Sequence, residues 1–119
     1  MQRILSTYRW VGHPLTPALL GEIAKAEIPA VEVFCATGHF QYRSAEAVRE
    51  LASALSDHRL ALHALHSPTE RDSTSGPQSG VQISISDPER IRRIDSIDEV
   101  KRALEVAERI PFRYLIQHM

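Results

Sequence analysis

Leu60-Ala61-Leu62-His63-Ala64-Leu65-His66-Ser67-Pro68 decides how this chain is read. The run is mostly apolar and is cut off by a Ser-Pro breaker, as a β-strand entering a loop would be. Period-two alternation predicts Leu62, Ala64 and His66 on one face and His63 on the other, under covering helices. His66 then stands at the carboxyl end of the strand.

Working outward, the same grammar repeats. Upstream, Ser44 caps a helix whose apolar residues Val48, Leu51, Ala52 and Leu55 fall at i, i+3, i+4 and i+7, and Asp57-His58-Arg59 closes it. Before that comes a strand, Ala30 to Cys35, apolar on both sides of Glu32 as a parallel strand buried on both faces is. Another helix begins at Thr16-Pro17, with threonine as cap and proline at the first helical position, and Pro29 ends it. Ile4 to Tyr8 opens the series as a short strand. Downstream, Thr69 to Gln82 mixes Ser, Thr, Gly and Pro and is expected to be a flexible loop. Asp87-Pro88 then opens a long helical segment with an apolar stripe of Ile91, Ile94, Ile97, Val100, Leu104 and Ala107. Ser96-x-x-Glu99 resembles a capping box that restarts this helix after a kink. After Pro111, Phe112 to His118 is a fourth strand.

Strands alternating with helices predict βαβ units and a parallel α/β sheet across residues 1–119. Two closures of that pattern compete, an open doubly wound sheet and a partial barrel of four parallel strands; no Gly-x-Gly-x-x-Gly turn follows the first strand and no P-loop is present, which weakens the dinucleotide-binding version of the first.

Composition narrows the chemistry. Of 119 residues, 14 are Lys or Arg and 15 are Asp or Glu, a net charge of -1, which supplies no basic field for nucleic acid or an anionic membrane. Apolar residues at 43% are enough for a core. Cys35 is the one cysteine and sits in Val33-Phe34-Cys35-Ala36, so an inert buried thiol in a reducing compartment is expected. Neither a signal peptide nor a membrane-length apolar run is visible, and the expected location is cytoplasmic.

In α/β barrels the chemistry gathers where strands end. Tyr8, Glu32, His39 and His66 are the candidate substrate-binding residues, and His66 and His118 the candidate metal ligands. Neutral imidazoles on adjacent strands can bind a divalent ion or hydrogen-bond a polyol. Glu32 needs a partner if it is buried, with Arg9, Tyr8 or Arg43 or a substrate hydroxyl as the choices. Tyr42 shares the second loop with His39 and is a further candidate. Trp10 is either a pocket wall or simple packing.

The strand ends Leu5-Ser6-Thr7-Tyr8, Val31-Glu32-Val33-Phe34, Leu62-His63-Ala64-Leu65-His66-Ser67-Pro68 and Tyr114-Leu115-Ile116-Gln117-His118, with the loop Gly38 to Arg43, resemble the N-terminal half of xylose-isomerase-like TIM barrels. The resemblance covers essentially the whole chain. That group contains sugar phosphate isomerases and epimerases and the related abasic-site endonucleases. It implies that Glu32 and His66 line the pocket and that His118 stands where the family has the histidine of a His-Pro-Gly turn, although here Met119 follows. In the endonuclease relatives the histidines corresponding to His66 and His118 bind zinc. In the isomerases the acid/base pair and main metal carboxylates come from later strands, so the isolated chain is expected to be inactive. The expected activity of the complete barrel is metal-dependent proton transfer on a sugar or sugar phosphate, with Mn, Mg, Co or Zn. The alternatives are a zinc phosphodiesterase fragment and a non-catalytic half-barrel that self-associates or pairs with a missing C-terminal half.

Overall fold

Three sequence signals set the first helices. Thr16 Oγ1 accepts the Leu19 N–H, Pro17 occupies the first turn, and helix α1 (Pro17–Lys25) follows. Ser44 Oγ accepts the Ala47 N–H and starts α2 (Ala45–Asp57). Both helices end before a residue in the left-handed region, Glu27 at φ 60° and Arg59 at φ 55°, so α1 stops short of Pro29.

A computed structural model of the chain describes residues 2–73 and 76–118. Strands β1 (Ile4–Ser6), β2 (Ala30–Phe34), β3 (Ala61–His66) and β6 (Tyr114–Ile116) form one sheet in the order β1-β2-β3-β6, every neighbour parallel. Helices lie between them in sequence, and the architecture is α/β, four parallel strands of a partial TIM barrel. Val31, Val33 and Cys35 point to the helix side and join Leu20, Ile23 and Leu51 in the core. Glu32 and Phe34 point to the opposite, inner face.

Several expectations are corrected. β1 ends at Ser6, because Ser6 Oγ accepts the Tyr8 N–H and turns Thr7–Trp10 into a single 3-10 turn. Val31 pairs with Leu62 but Glu32 pairs with Ala64, so His63 is an extra residue in β3. The bulge resets the alternation. Leu62 and Leu65 both join the helix-side core, while Ala64 and His66 take the inner face. His63 lies against Tyr114, ring centroids 5.2 Å apart, and not under the helices.

Thr69 to Gln82, expected as a flexible loop, contains an antiparallel pair, β4 (Glu70–Ser73) and β5 (Gly76–Gln82), in which Glu70 faces Gln82. Positions 74 and 75 lie outside the described residues. Backbone pairing satisfies the polar groups that turn-forming side chains had suggested would be solvated.

Helix α3 (Arg90–Leu104) is continuous, without a restart at Ser96. Its expected apolar stripe is turned away from the core: Ile91 is 68% exposed, Ile94 44% and Leu104 43%. The buried face carries Ser96, Glu99 and Ala103 instead. Ser96 Oγ accepts the Ser84 N–H at 3.0 Å, and Glu99 accepts a hydrogen bond from the Tyr42 hydroxyl while Arg43 stands 3.8 Å from its other oxygen. Specific partners on other segments let polar residues face inward, and periodicity cannot see them. No helix among the described residues is long and apolar enough to cross a membrane.

Candidate functional site

The carboxyl ends of the four strands share a cleft of about 620 Å³. Ser6 and Tyr8 enter from β1 and its turn, Glu32 and Phe34 from β2, His66 from β3, and His118 from just beyond β6. Parallel pairing accounts for this. Ser6 is opposite Glu32, Phe34 opposite His66, and His66 opposite Ile116, so β1, β2 and β3 deliver their last inward residues to one rim, which His118 joins from two positions past Ile116.

At the centre, His66 and His118 meet with their Nε2 atoms 2.9 Å apart. His66 is buried and its Nδ1 donates to the Ser67 carbonyl at 2.9 Å, which leaves the Nε2 lone pair facing the cleft. The His118 Nε2–H therefore donates to it. Phe34 stacks on the His66 ring, with centroids 4.1 Å apart and planes 18° from parallel, and Tyr8 tilts against Phe34 at 5.3 Å. On the far side, Ser67 Oγ donates to Gln117 Oε1 at 2.6 Å, and Ser67 N–H donates to the Ile116 carbonyl. This latch ties the end of β3 to the end of β6 and sets the approach of the two imidazoles.

The donor set fits a divalent ion in part. Two imidazole nitrogens 2.9 Å apart lie within the span of one ion with metal–nitrogen distances of ~2.0–2.1 Å. An imidazole whose other nitrogen donates to a carbonyl is the usual form of a metal-binding histidine. Among the described residues no third His, Cys, Asp or Glu joins the pair. Glu32 lines the same cleft, half-buried, with no hydrogen bond or ion pair among the described residues.

His39 requires a correction. Its ring is buried and lies outside the rim cleft. Nδ1 donates to the His13 carbonyl at 2.7 Å, and Nε2 accepts from the Thr7 hydroxyl at 2.9 Å, whose oxygen accepts the Phe34 N–H. Both ring nitrogens are engaged in holding the first loop to the end of β2. Tyr42 is likewise buried, and burial together with the Glu99 carboxylate it donates to holds its phenol far above the usual range. Trp10 packs against the core with the Arg9 guanidinium 5.8 Å from its ring, and is no wall of the cleft. Burial pushes the Cys35 thiol well up, in keeping with an inert cysteine.

Phe34 and the Ser67–Gln117 latch were not foreseen. Phe34 carried a usable signal, standing two residues after Glu32 and so on the same face. The latch had none, since it joins residues 50 positions apart.

The geometry of four parallel strands with a shared rim has a solved counterpart. The chain superposes with a TM-score of 0.63 on the crystal structure of an AP endonuclease, family 2, from Brucella melitensis. The fold is that of a partial barrel. Sequence identity is 18%, and the match covers 97% of this chain but 40% of that one, so the chain spans well under half the length of its structural relative. No protein-family model matches the chain, and no curated protein matches it in sequence.

Proposed function

We propose that the rim cleft binds a sugar or sugar phosphate beside a divalent ion held by His66 and His118, as part of an isomerase- or epimerase-type barrel working in the cytoplasm. The observation that carries this reading is the convergence of the two Nε2 atoms at 2.9 Å in a cleft whose wall also holds the uncommitted carboxylate of Glu32. A polyol presents hydroxyls for a carboxylate to accept and a C–H face for an aromatic wall, here Phe34 and Tyr8. Arg9 at the same rim supplies a cation for a phosphate or carbonyl oxygen. When bound, the ion, one of Mn, Mg, Co or Zn, would polarise a substrate oxygen and stabilise developing negative charge. His66 and His118 orient, Glu32 and Arg9 position, and proton transfer beside the carbonyl falls to groups outside residues 1–119.

Calorimetric titration with zinc and with manganese, alone and with a panel of ketoses, tests the proposal. Binding of one ion per chain is expected, weakened about 10–100-fold or more in His66→Ala and His118→Ala. Glu32→Gln is expected to keep the ion and lose the sugar. Equal metal affinity in all variants would contradict the assignment.

A second reading, cleavage of abasic DNA, is favoured by the name of the structural relative and by the histidine pair. Electrostatics weighs against it. A net charge of -1, with Arg9 as the one Lys or Arg among the described residues of the cleft lining, offers little phosphate neutralisation. Salt-dependent retention on an abasic duplex would reverse this ranking.

A further inference from the structure

We propose that Ser67 and Gln117 are the positioning residues of the histidine pair, closing with His66 and His118 a cycle of four hydrogen bonds of which a divalent ion would take over one and leave three. The ion's part in this rests on the reading of the cleft as a metal site; the cycle itself does not.

The links run one way around the four residues. Ser67 Oγ donates to Gln117 Oε1 at 2.6 Å, and Gln117 Nε2 donates to the His118 carbonyl at 2.6 Å. His118 Nε2 donates to His66 Nε2 at 2.9 Å, and His66 Nδ1 donates to the Ser67 carbonyl at 2.9 Å. Each residue gives a proton to the next, so the links polarise one another in the same sense.

Pairing of β3 with β6 brings the four together. His66 stands opposite Ile116, and the Ser67 N–H donates to the Ile116 carbonyl at 2.9 Å, so the parallel ladder runs one residue past both strands. Alternation then separates the two halves of the cycle. His66 and His118 line the cleft, while Ser67 and Gln117 do not. Ser67 is buried, with its N–H and hydroxyl committed to residues 116 and 117 and its carbonyl to His66.

The two imidazoles depend on the cycle unequally. His66 is buried, stacks on Phe34 and keeps its carbonyl bond whatever happens at Gln117. His118 is exposed and lies past the end of β6. Among the described residues its polar anchors are the Gln117 amide on its carbonyl and the His66 nitrogen on its ring. A side chain so placed samples other rotamers unless its backbone is fixed, and the Ser67–Gln117 latch fixes it.

The imidazole–imidazole link is the one that an ion shared by both Nε2 atoms would take over. The other three links use a hydroxyl, an amide, Nδ1 and two carbonyls, none of them the lone pairs such an ion needs. Both histidines therefore stay oriented with the ion in place. Because Ser67 and Gln117 lie off the cleft lining, substituting them removes no contact to a ligand. An effect on the site has to pass through the histidines.

Ser67→Ala and Gln117→Met, singly and together, test the cycle. Nitrogen-15 labelling of the histidine side chains reads the metal-free pair, as the scalar coupling between the two Nε2 atoms across their hydrogen bond. The coupling is expected in the parent chain and is expected to vanish in each variant, with urea unfolding showing that the fold persists. Should Ser67→Ala unfold, Gln117→Met, at a half-buried position, decides alone. Zinc affinity by calorimetry is expected to fall about 10–100-fold in either variant and little further in the double one. A coupling that survives in both variants overturns the proposal, and so does its absence from the parent chain. Parent-like zinc affinity in both variants overturns the positioning role even where the coupling is lost. A parent chain that shows the coupling but binds no zinc overturns the ion's part and the metal reading of the cleft, while the coupling alone decides the cycle.

Discussion

Thr7 has no exposed surface, yet its hydroxyl connects three segments. It accepts the Phe34 N–H and donates to His39, whose other nitrogen donates to the His13 carbonyl. Thr7→Val keeps the volume and strands two buried polar groups, an expected loss of about 1–3 kcal/mol for each. His39→Ala breaks the same chain, so the double variant is expected to be less destabilised than the two losses added together, read by urea unfolding. Buried acids make a second residue-scale prediction. Burial raises the Cys35 thiol in the folded state above its unfolded value of ~8.5. Above that pH the unfolded chain has released a proton that the folded chain retains, so unfolding free energy falls as pH rises. Tyr42, raised by burial and then by Glu99, adds to the fall from pH ~10 upward. Stability is expected to be fully present below pH ~8.5 and to decline above it, and Cys35→Ala is expected to flatten the decline between pH ~8.5 and ~10. An unchanged slope in that variant would refute the assignment.

At the scale of elements, the helix caps and buried strands were plain in the sequence, and the inward side of α3 was not. Thr16, Pro17 and Ser44 act locally, within three residues of the groups they satisfy, and local signals can be read along a chain. Glu99 faces inward because Tyr42, 57 residues away, receives it, and Ser96 because Ser84 does. The Val31/Glu32 register shift against β3 is of the same kind, since only the paired strand shows that His63 is extra. At the site, the placing of His66 and His118 at strand ends was legible from alternation and topology. His39 was misread because its partners, Thr7 and His13, lie 32 and 26 positions away. The helix ends themselves carry a prediction. Arg59 holds a left-handed backbone at φ 55° after α2, a conformation that costs a residue with a Cβ roughly 1–2 kcal/mol. Arg59→Gly is expected to raise the melting temperature, with a gain of up to ~1 kcal/mol. A fall in the melting temperature would show that the arginine side chain contributes more than the strain it tolerates.

For the whole molecule, one parallel sheet organises everything else. Its helix side is closed by α1, α2 and the end of α3 with the 3-10 turn Glu105–Glu108 after it, where Ala103 and Val106 are buried. Its inner side ends in a rim where residues far apart in sequence converge, and its two borders are unpaired among the described residues. The convergence of His66 and His118 is the feature on which the proposed chemistry rests. Nitrogen-15 NMR of the histidine side chains, recorded as zinc is added, reads it most directly. Two imidazoles, those of His66 and His118, are expected to shift at their Nε2 atoms while Nδ1 of His66 stays protonated against the Ser67 carbonyl. Zinc shifts on other histidines, or on His66 without His118, would contradict a shared site at the rim.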